Sequence, residues 1–212
     1  AEQGAIPGVM ENKYGQGITP NQTYKRDLDD LIPHQERMDW AGLRAQLKDT
    51  GIRNSTLMAL MPAETSAQIA NATNGIEPPR SLISVKQSKH GVLKQVVPEY
   101  KRLKNKYDLL WDQVSPEGYI KIMAVLQKYI DQGISVNTSY NPAYFDDEKI
   151  PMSTMLQHML MFYKYGGKQL YYFNTHDGQG ELDVNKLMGE SAQPELEQVD
   201  YNDDEACESC VI

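Results

Sequence analysis

The sequence has few cysteines and no long apolar run. Its two cysteines, Cys207 and Cys210, both lie in the last six residues. No apolar stretch approaches the roughly 18–20 residues that a membrane-spanning helix needs. The first residues also carry no basic region followed by an apolar core, which a secretory signal requires. We therefore expect a cytoplasmic protein without membrane contact.

Basic residues are scarce where acidic residues are dense. From Asp177 onward there are eleven acidic residues and one lysine, whereas residues 1–176 hold 18 acidic and 20 basic residues. The net charge of −8 therefore belongs to the C-terminal segment. The sequence shows no basic patch of the kind that would indicate nucleic acid as a partner.

The C-terminal segment also lacks hydrophobic periodicity. Residues 177–212 are dominated by Gly, Ser, Gln, Pro and acidic side chains, with too little apolar surface to offset the entropy of ordering the chain. We predict a folded body over 1–176 and a disordered acidic tail over 177–212. Residue 1 is not Met, and 1–5 read as the end of an element, so we expect a fragment, a processed chain or a split gene product.

Within the body, helical and strand patterns alternate. Apolar residues at helical spacing, bounded by capping residues, proline or glycine, predict helices over 40–50, 98–111, 116–130 and 151–163. Apolar or aromatic runs predict a hairpin from 82–86 and 92–96, and strands at 134–137 and 170–175. This alternation is typical of an α/β protein, here with a sheet shared with sequence absent from this chain.

The segment 57–75 carries the first candidate site. Residues 57–61 are uniformly apolar, as in a strand covered on both faces, and Pro62 suits the first turn of a helix ending at Gly75. Backbone N–H groups at that helix start, together with the hydroxyls of Thr65 and Ser66, could hold phosphate oxygens. From these residues alone a capped helix after a buried strand is the favoured interpretation.

Cys207 and Cys210 form a Cys-Glu-Ser-Cys pair, a spacing typical of redox or metal-binding sites. Zinc would need two further ligands, and the four histidines lie in unrelated segments, so a metal site is disfavoured. Two exposed thiols without a function and a mobile dithiol carrier both stay open as interpretations.

Tyr171 and Tyr172 are adjacent in the predicted strand at 170–175. Two strand tyrosines that pack on opposite faces of a sheet are the commoner case. A phenol can also lose an electron and a proton together, so neighbouring tyrosines could relay a radical. His158 and the methionine-rich helix around it are interpreted as core or helix surface rather than as a site.

Three segments together resemble the large (alpha) subunit of class I ribonucleotide reductase, in its aerobic bacterial and bacteriophage form. They are 53–80, the strand at 170–175 and the C-terminal Cys-Glu-Ser-Cys pair. The similarity covers essentially the whole chain from Gly15 onward. It matches only the last part of a subunit that is several times longer in the family.

The resemblance implies the C-terminal part of a ten-stranded α/β barrel, followed by a flexible acidic tail. It implies that a loop and helix start bind the substrate diphosphate, with Ala63 where relatives often carry Ser. The implied diphosphate-binding residues are Pro62, Ala63, Glu64, Thr65 and Ser66. It further implies that Cys207 and Cys210 form the tail dithiol that re-reduces the active site.

The resemblance also implies that Tyr171 and Tyr172 stack and pass a radical from the small subunit to an active-site cysteine. On a regular strand neighbouring side chains point to opposite faces. A stacked pair therefore predicts that the strand is distorted or ends at these two residues.

The family's radical-bearing cysteine and its two reducing cysteines have no counterpart in the body of this chain. We expect no cofactor on this chain and a radical cofactor of the di-iron tyrosyl type in a separate small subunit. The implied partners are the N-terminal part of the large subunit, the small subunit, thioredoxin or glutaredoxin, and a nucleoside diphosphate. Two functions stay open: a catalytic component of ribonucleoside-diphosphate reductase for deoxyribonucleotide synthesis, or a truncated, catalytically incomplete fragment that only binds partners.

Overall fold

The computed structural model describes residues 4–88 and 91–177. Helices and strands, joined by loops and short 3-10 turns, follow in this order: α1 (Trp40–Thr50), α2 (Glu64–Ile69), β1 (Ile83–Ser88), β2 (Gly91–Val96), α3 (Tyr100–Leu103), α4 (Glu117–Gln127), β3 (Val136–Tyr140), α5 (Met152–Lys164) and β4 (Leu170–Thr175). The predicted disordered tail and both cysteines lie outside the described residues.

β3 and β4 form a parallel pair, and α5 is the crossover that a parallel connection requires. The chain at 57–61 runs along the opposite edge of the segment that enters β3. There Leu60 forms a parallel bridge with Ile134, and the N–H of Ser135 donates to the carbonyl of Leu60 at 2.9 Å. β4 therefore pairs with β3 itself, whereas 57–61 pairs with the residues that lead into β3.

The hydrophobic core lies where α4 and α5 cover β3. Its buried members are Ile120 and Met123 of α4, Phe162 of α5, and Ile130, Ile134 and Val136 at and before β3. Just after α5, the backbone at Gly167 packs directly against the ring of Phe162 in this core. A Cβ at Gly167 would lie 2.2 Å from the Phe162 ring, and Gly166 has a φ of +92°, so the predicted glycine ending of this helix is confirmed.

β1 and β2 form a separate antiparallel hairpin, with register from Ile83–Val96 to Ser88–Gly91, as the sequence predicts. Among the described residues the strands form two two-stranded sheets, and the sheet is not closed into a barrel. None of the described helices is long and apolar enough to cross a membrane.

Several other predicted elements are confirmed. The Asp39 carboxylate accepts the N–H of Gly42 and caps α1, which ends before Gly51. α4, α5 and β4 also lie where the sequence predicts them, and β3 begins two residues later than predicted and extends to Tyr140.

The predicted helix over 98–111 is wrong. α3 has only four residues and is followed by 3-10 turns at Lys104–Lys106 and Leu110–Asp112. Glu99, just before α3, has a φ of 51° in the left-handed region. A longer helix would also place several cations at the i,i+3 and i,i+4 spacings at which like charges repel; they are Lys101, Arg102, Lys104 and Lys106.

The predicted buried strand at 57–61 is also wrong in its extent. Only Leu60 forms a bridge, while Leu57, Met58 and Met61 are 53%, 52% and 71% exposed. No described element covers them, so apolar side chains alone do not produce a strand here. α2 likewise ends at Ile69 and not at Gly75, and the chain turns at Asn71, where φ is 52°.

Candidate functional site

Tyr171 and Tyr172 lie at a β-bulge of β4. Between two ordinary register pairs, both tyrosines stand opposite the single residue Asn137. The flanking pairs are Val136 with Leu170 and Thr138 with Phe173. A bulge inserts one extra residue and breaks the alternation of side chains. The predicted distortion of the strand at this pair is therefore confirmed.

The bulge brings the two phenol rings together. Their centroids are 4.1 Å apart and the ring planes are inclined by 53°. The hydroxyl of Tyr172 donates to the hydroxyl of Tyr171 at 3.3 Å. The side chains are 45% and 55% exposed. The pair is thus both internally hydrogen-bonded and accessible from outside this chain.

Asn137 supports the bulge from the neighbouring strand. Its side-chain Oδ1 accepts the N–H of Tyr172 at 3.2 Å, and its Nδ2 donates to Oε1 of Glu77 at 2.6 Å. Burial, and next the negative charge of Glu77, raise the pKa of the nearby Tyr119. Sequence reasoning missed the contact between Asn137 and Glu77, because the two residues are 60 positions apart and no motif pairs them.

The second group of predicted site residues surrounds the start of α2. Ala63 precedes this six-residue helix without a side-chain cap, and its N–H donates to Oδ1 of Asn74 at 2.7 Å. Thr65 and Ser66 are exposed in the first turn, while Ala67 is buried. Two hydroxyls and the first-turn N–H groups therefore lie at one exposed helix start. Pro62 precedes this start, and Glu64 is the first residue of the helix.

One loop contacts both groups. Asn74 binds the backbone before α2, and Glu77, three residues later, binds the asparagine beneath the tyrosine pair. The positions of the helix start and of the bulge therefore depend on the same stretch of chain.

Asp131 ties the exposed segment at 57–61 to the core. Its carboxylate accepts the N–H groups of Leu57 at 2.6 Å and Met58 at 2.9 Å, and the hydroxyl of Tyr14 at 2.7 Å. Burial alone would raise the pKa of Asp131, but these donors, with the N–H of Gln132, hold the pKa below its ordinary value. The carboxylate is thus favoured in its charged form.

A cavity of about 310 Å³ lies between residues 13–25 and the ends of α4 and α5, and none of the predicted site residues that the structure describes lines it. Two of its lysines already have partners in the fold. Lys168 donates to the carbonyls of Ile130 and Asp131, and the ammonium of Lys128 lies 4.0 Å from the centroid of the Tyr24 ring. Burial lowers the pKa of both lysines.

His158 is a core residue, as the sequence predicts. It is 5% exposed, and its Nδ1 lies 3.0 Å from the hydroxyl of the buried Tyr140. Burial lowers the pKa of His158, although the carboxylate of Glu117 acts in the opposite direction. Across residues 4–88 and 91–177, no three His, Cys, Asp or Glu side chains are arranged to hold a metal.

Comparison with known proteins agrees with the resemblance seen in the sequence. A family model described as the barrel domain of ribonucleotide reductase matches residues 1–173. The ribonucleoside-diphosphate reductase subunit alpha of Haemophilus influenzae is 54% identical over 181 residues, which are 85% of this chain and 24% of that protein.

Two further relatives carry related names. The ribonucleoside-diphosphate reductase 1 subunit alpha of Escherichia coli is 49% identical over 208 residues, or 98% of this chain and 26% of the relative. The subunit alpha of enterobacteria phage T4 is 41% identical over 185 residues, or 86% and 24%. The chain therefore spans about a quarter of the length of these curated relatives.

Proposed function

The chain belongs to the ribonucleotide reductase family, as a C-terminal portion of the barrel domain, and from this premise we propose that it is a catalytic component of a ribonucleoside-diphosphate reductase. The observation that carries the proposal is the hydrogen-bonded pair of Tyr171 and Tyr172 at the β-bulge. In the assembled enzyme the chain supplies the last strands of a ten-stranded barrel and acts in the cytoplasm.

The tyrosine pair relays a radical. When one phenol is oxidised to a phenoxyl radical, the other passes it an electron and the phenolic proton, so the radical moves by one residue while the overall charge is unchanged. The 3.3 Å contact between the hydroxyls of Tyr172 and Tyr171 supports a direct transfer. The radical originates in a separate small subunit that holds a di-iron tyrosyl cofactor, and this chain holds no cofactor of its own.

The start of α2 binds the substrate diphosphate. The hydroxyls of Thr65 and Ser66 and the first-turn N–H groups donate hydrogen bonds to phosphate oxygens, and the positive end of the helix dipole favours the anion. Ala63 contributes backbone only, since it has no hydroxyl. Its N–H is already bonded to Asn74, so that asparagine shapes the turn for the phosphate.

The N-terminal part of the large subunit covers the exposed apolar residues of this region. Leu57, Met58, Met61 and Ile69 are each more than half exposed, and exposed apolar patches of this kind mark contact surfaces. The missing part also brings the radical-bearing and reducing cysteines, which the body of this chain lacks.

The C-terminal segment is a reducing arm. Cys207 and Cys210 reduce the active-site disulfide by thiol–disulfide exchange, become a disulfide themselves, and are reduced in turn by thioredoxin or glutaredoxin. A flexible coil of 30 residues, which is the length of 177–206, would span roughly 30 Å.

A reconstitution assay tests the proposal against the alternative of a fragment that only binds partners. The full chain is combined with the separately made N-terminal part, the small subunit, a nucleoside diphosphate and thioredoxin. We expect deoxynucleotide only when all components are present. A complex that assembles with the radical intact but makes no deoxynucleotide would favour the binding-only alternative.

A serine variant of the tail separates its role from that of the body. In the reconstituted enzyme, Cys207→Ser should complete the first turnover from a pre-reduced active site and then stop with thioredoxin as the reductant. A small dithiol that enters the active site directly should sustain turnover. Continued thioredoxin-driven turnover by the variant would remove the reducing arm from the proposal.

A further inference from the structure

The β-bulge of β4 needs support from outside the strand ladder. An extra residue in one strand leaves backbone groups that the partner strand cannot pair, and a buried unpaired N–H is costly. Here the N–H of Tyr172 donates to a side chain of the neighbouring strand, Oδ1 of Asn137, at 3.2 Å. The conformation of the bulge therefore depends on the side chain at position 137.

The Asn137 side chain is itself held in place. The residue is 8% exposed, and its Nδ2 donates to Oε1 of Glu77 at 2.6 Å. A hydrogen bond to a charged acceptor is among the stronger ones. Because Nδ2 is bonded to Glu77, the oxygen end of the amide points toward Tyr172, and only the oxygen can accept the N–H of Tyr172.

We propose that Asn137, fixed by Glu77, is a positioning residue that holds the bulge and thereby keeps the hydroxyls of Tyr171 and Tyr172 within hydrogen-bond distance. Without this acceptor, the strand can relax toward regular pairing, in which adjacent side chains point to opposite faces. The role of this positioning in catalysis rests on the proposed radical relay. The effect of Asn137 on the distance between the two rings does not depend on that proposal.

The expected effect on transfer is large because the reacting atoms would separate. A misplacement of about 1 Å can lower a rate roughly 100-fold. The two phenols would remain chemically intact in such a variant, so the loss would come from geometry alone. If the Asn137 side chain only filled space, its replacement would not change the distance between the two tyrosine rings.

The test uses three variants of the full chain. Asn137→Ala removes both hydrogen bonds. Asn137→Asp keeps an acceptor for the N–H of Tyr172 but places a second carboxylate against Glu77. The double variant Asn137→Asp with Glu77→Gln restores a donor–acceptor pair with the roles exchanged, since the Gln amide donates to the Asp carboxylate while the other Asp oxygen accepts from Tyr172.

Asn174→Ala is the matched control. Asn174 lies on the same strand, two residues beyond Tyr172, and its amide donates to the Ser139 hydroxyl at 3.5 Å within the regular part of the ladder. Its removal should leave the tyrosine pair unchanged. Far-UV circular dichroism and the free energy of unfolding establish that each variant is folded.

Two structural measurements decide the proposal. They are the nuclear Overhauser effects between selectively labelled rings of Tyr171 and Tyr172, and the hydrogen exchange of the Tyr172 amide. In Asn137→Ala and Asn137→Asp we expect the ring–ring effects to be lost and the amide to exchange at least tenfold faster. The double variant should recover both, and Asn174→Ala should match the parent chain. Unchanged ring–ring effects in Asn137→Ala would overturn the proposal. If Asn137→Ala does not fold, the double variant decides: ring–ring effects and amide exchange no closer to the parent chain than in Asn137→Asp would overturn the proposal.

Turnover in the reconstituted enzyme separates this proposal from the relay on which it rests. We expect turnover to fall roughly 100-fold in Asn137→Asp and to recover in the double variant. Rings that separate while turnover stays normal would confirm the positioning role and reject the relay. Rings that remain together in Asn137→Ala while Tyr171→Phe abolishes turnover would reject the positioning role and keep the relay.

Discussion

The two strands of the parallel sheet, β3 and β4, are neighbours in the fold but differ in their surroundings. Val136, Thr138 and Tyr140 of β3 are at most 2% exposed. Val136 packs in the core with α4 and α5, and Tyr140 lies against His158 of α5. On β4, by contrast, three successive aromatic residues are 40% to 55% exposed. Both strands are rich in residues that favour sheets, so composition does not explain the difference.

The contrast separates side chains that hold this chain together from side chains that it presents to other molecules. Burial of apolar surface is the main favourable term in folding, and β3 with its covering helices supplies it. The exposed tyrosines contribute little of that term. Their arrangement at a bulge, with a dedicated hydrogen-bond partner below them, favours a chemical role for β4 in addition to its role in the sheet.

The largest expected effect on stability comes from a matched pair of phenylalanines. Phe162 is 3% exposed in the core beneath β3, whereas Phe173 on β4 is 40% exposed. Phe162→Ala should lower the free energy of unfolding by about 3–5 kcal/mol. Phe173→Ala should lower it by about 1–2 kcal/mol, since less surface is buried. Chemical denaturation of both variants measures this, and equal losses would break the distinction between the two strands.

The next prediction tests whether the exposed hydroxyls of Thr65 and Ser66 at the start of α2 are functional, as we propose for the exposed tyrosines of β4. Thr65→Val with Ser66→Ala removes the exposed hydroxyls that we propose for diphosphate binding. Losing charge-assisted hydrogen bonds costs roughly 1.5–3 kcal/mol, so the KM for the diphosphate should rise about 10- to 150-fold in the reconstituted enzyme.

The matched control for this change lies at the start of α5, where Ser153 and Thr154 likewise follow a proline. Ser153→Ala with Thr154→Val should leave the KM unchanged. If the two double variants had the same KM as the parent enzyme, the helix start of α2 would lose its proposed role.

The smallest effect concerns the link between the exposed and buried regions. Asp131→Asn removes the charge that accepts the N–H groups of Leu57 and Met58. We expect the free energy of unfolding at pH 7 to fall by about 1–2 kcal/mol, with a discount for the partial exposure of this carboxylate.

The pH dependence gives this prediction a sign. The folded-state pKa of Asp131 is lowered, so its contribution is present above the unfolded value of about 3.9 and is lost as the pH falls through the folded value. The difference between parent and variant should therefore shrink below about pH 4. A difference that grows on acidification would contradict the assignment.

Sequence reasoning succeeded where the signals were local. α5 begins after Pro151 and ends at Lys164, just before Gly166 and Gly167, and β4 follows these glycines, so both were predictable. The distortion of β4 was predictable only through the resemblance, since a stacked tyrosine pair is incompatible with a regular strand.

Sequence reasoning failed where partners decide the outcome. The apolar run at 57–61 predicted burial, but the surfaces that would bury it are not among the described residues of this chain. The contact between Asn137 and Glu77 joins residues 60 positions apart. No periodicity or motif marks such a pair, so only the folded geometry reveals it.

The central claim is that the exposed tyrosines of β4 carry the radical, and conservative substitution of each phenol tests it most directly. Tyr171→Phe and Tyr172→Phe keep the ring but remove the phenolic proton and raise the oxidation potential. Tyr144→Phe is the control, because Tyr144 is 43% exposed and lies in a 3-10 turn outside the pair. The measurement is turnover in the reconstituted reductase, with the free energy of unfolding measured alongside. We predict that both β4 variants fall to background turnover with less than about 1 kcal/mol of lost stability, while Tyr144→Phe turns over normally. A Tyr171→Phe or Tyr172→Phe enzyme that reduces nucleotides at the normal rate would contradict the account.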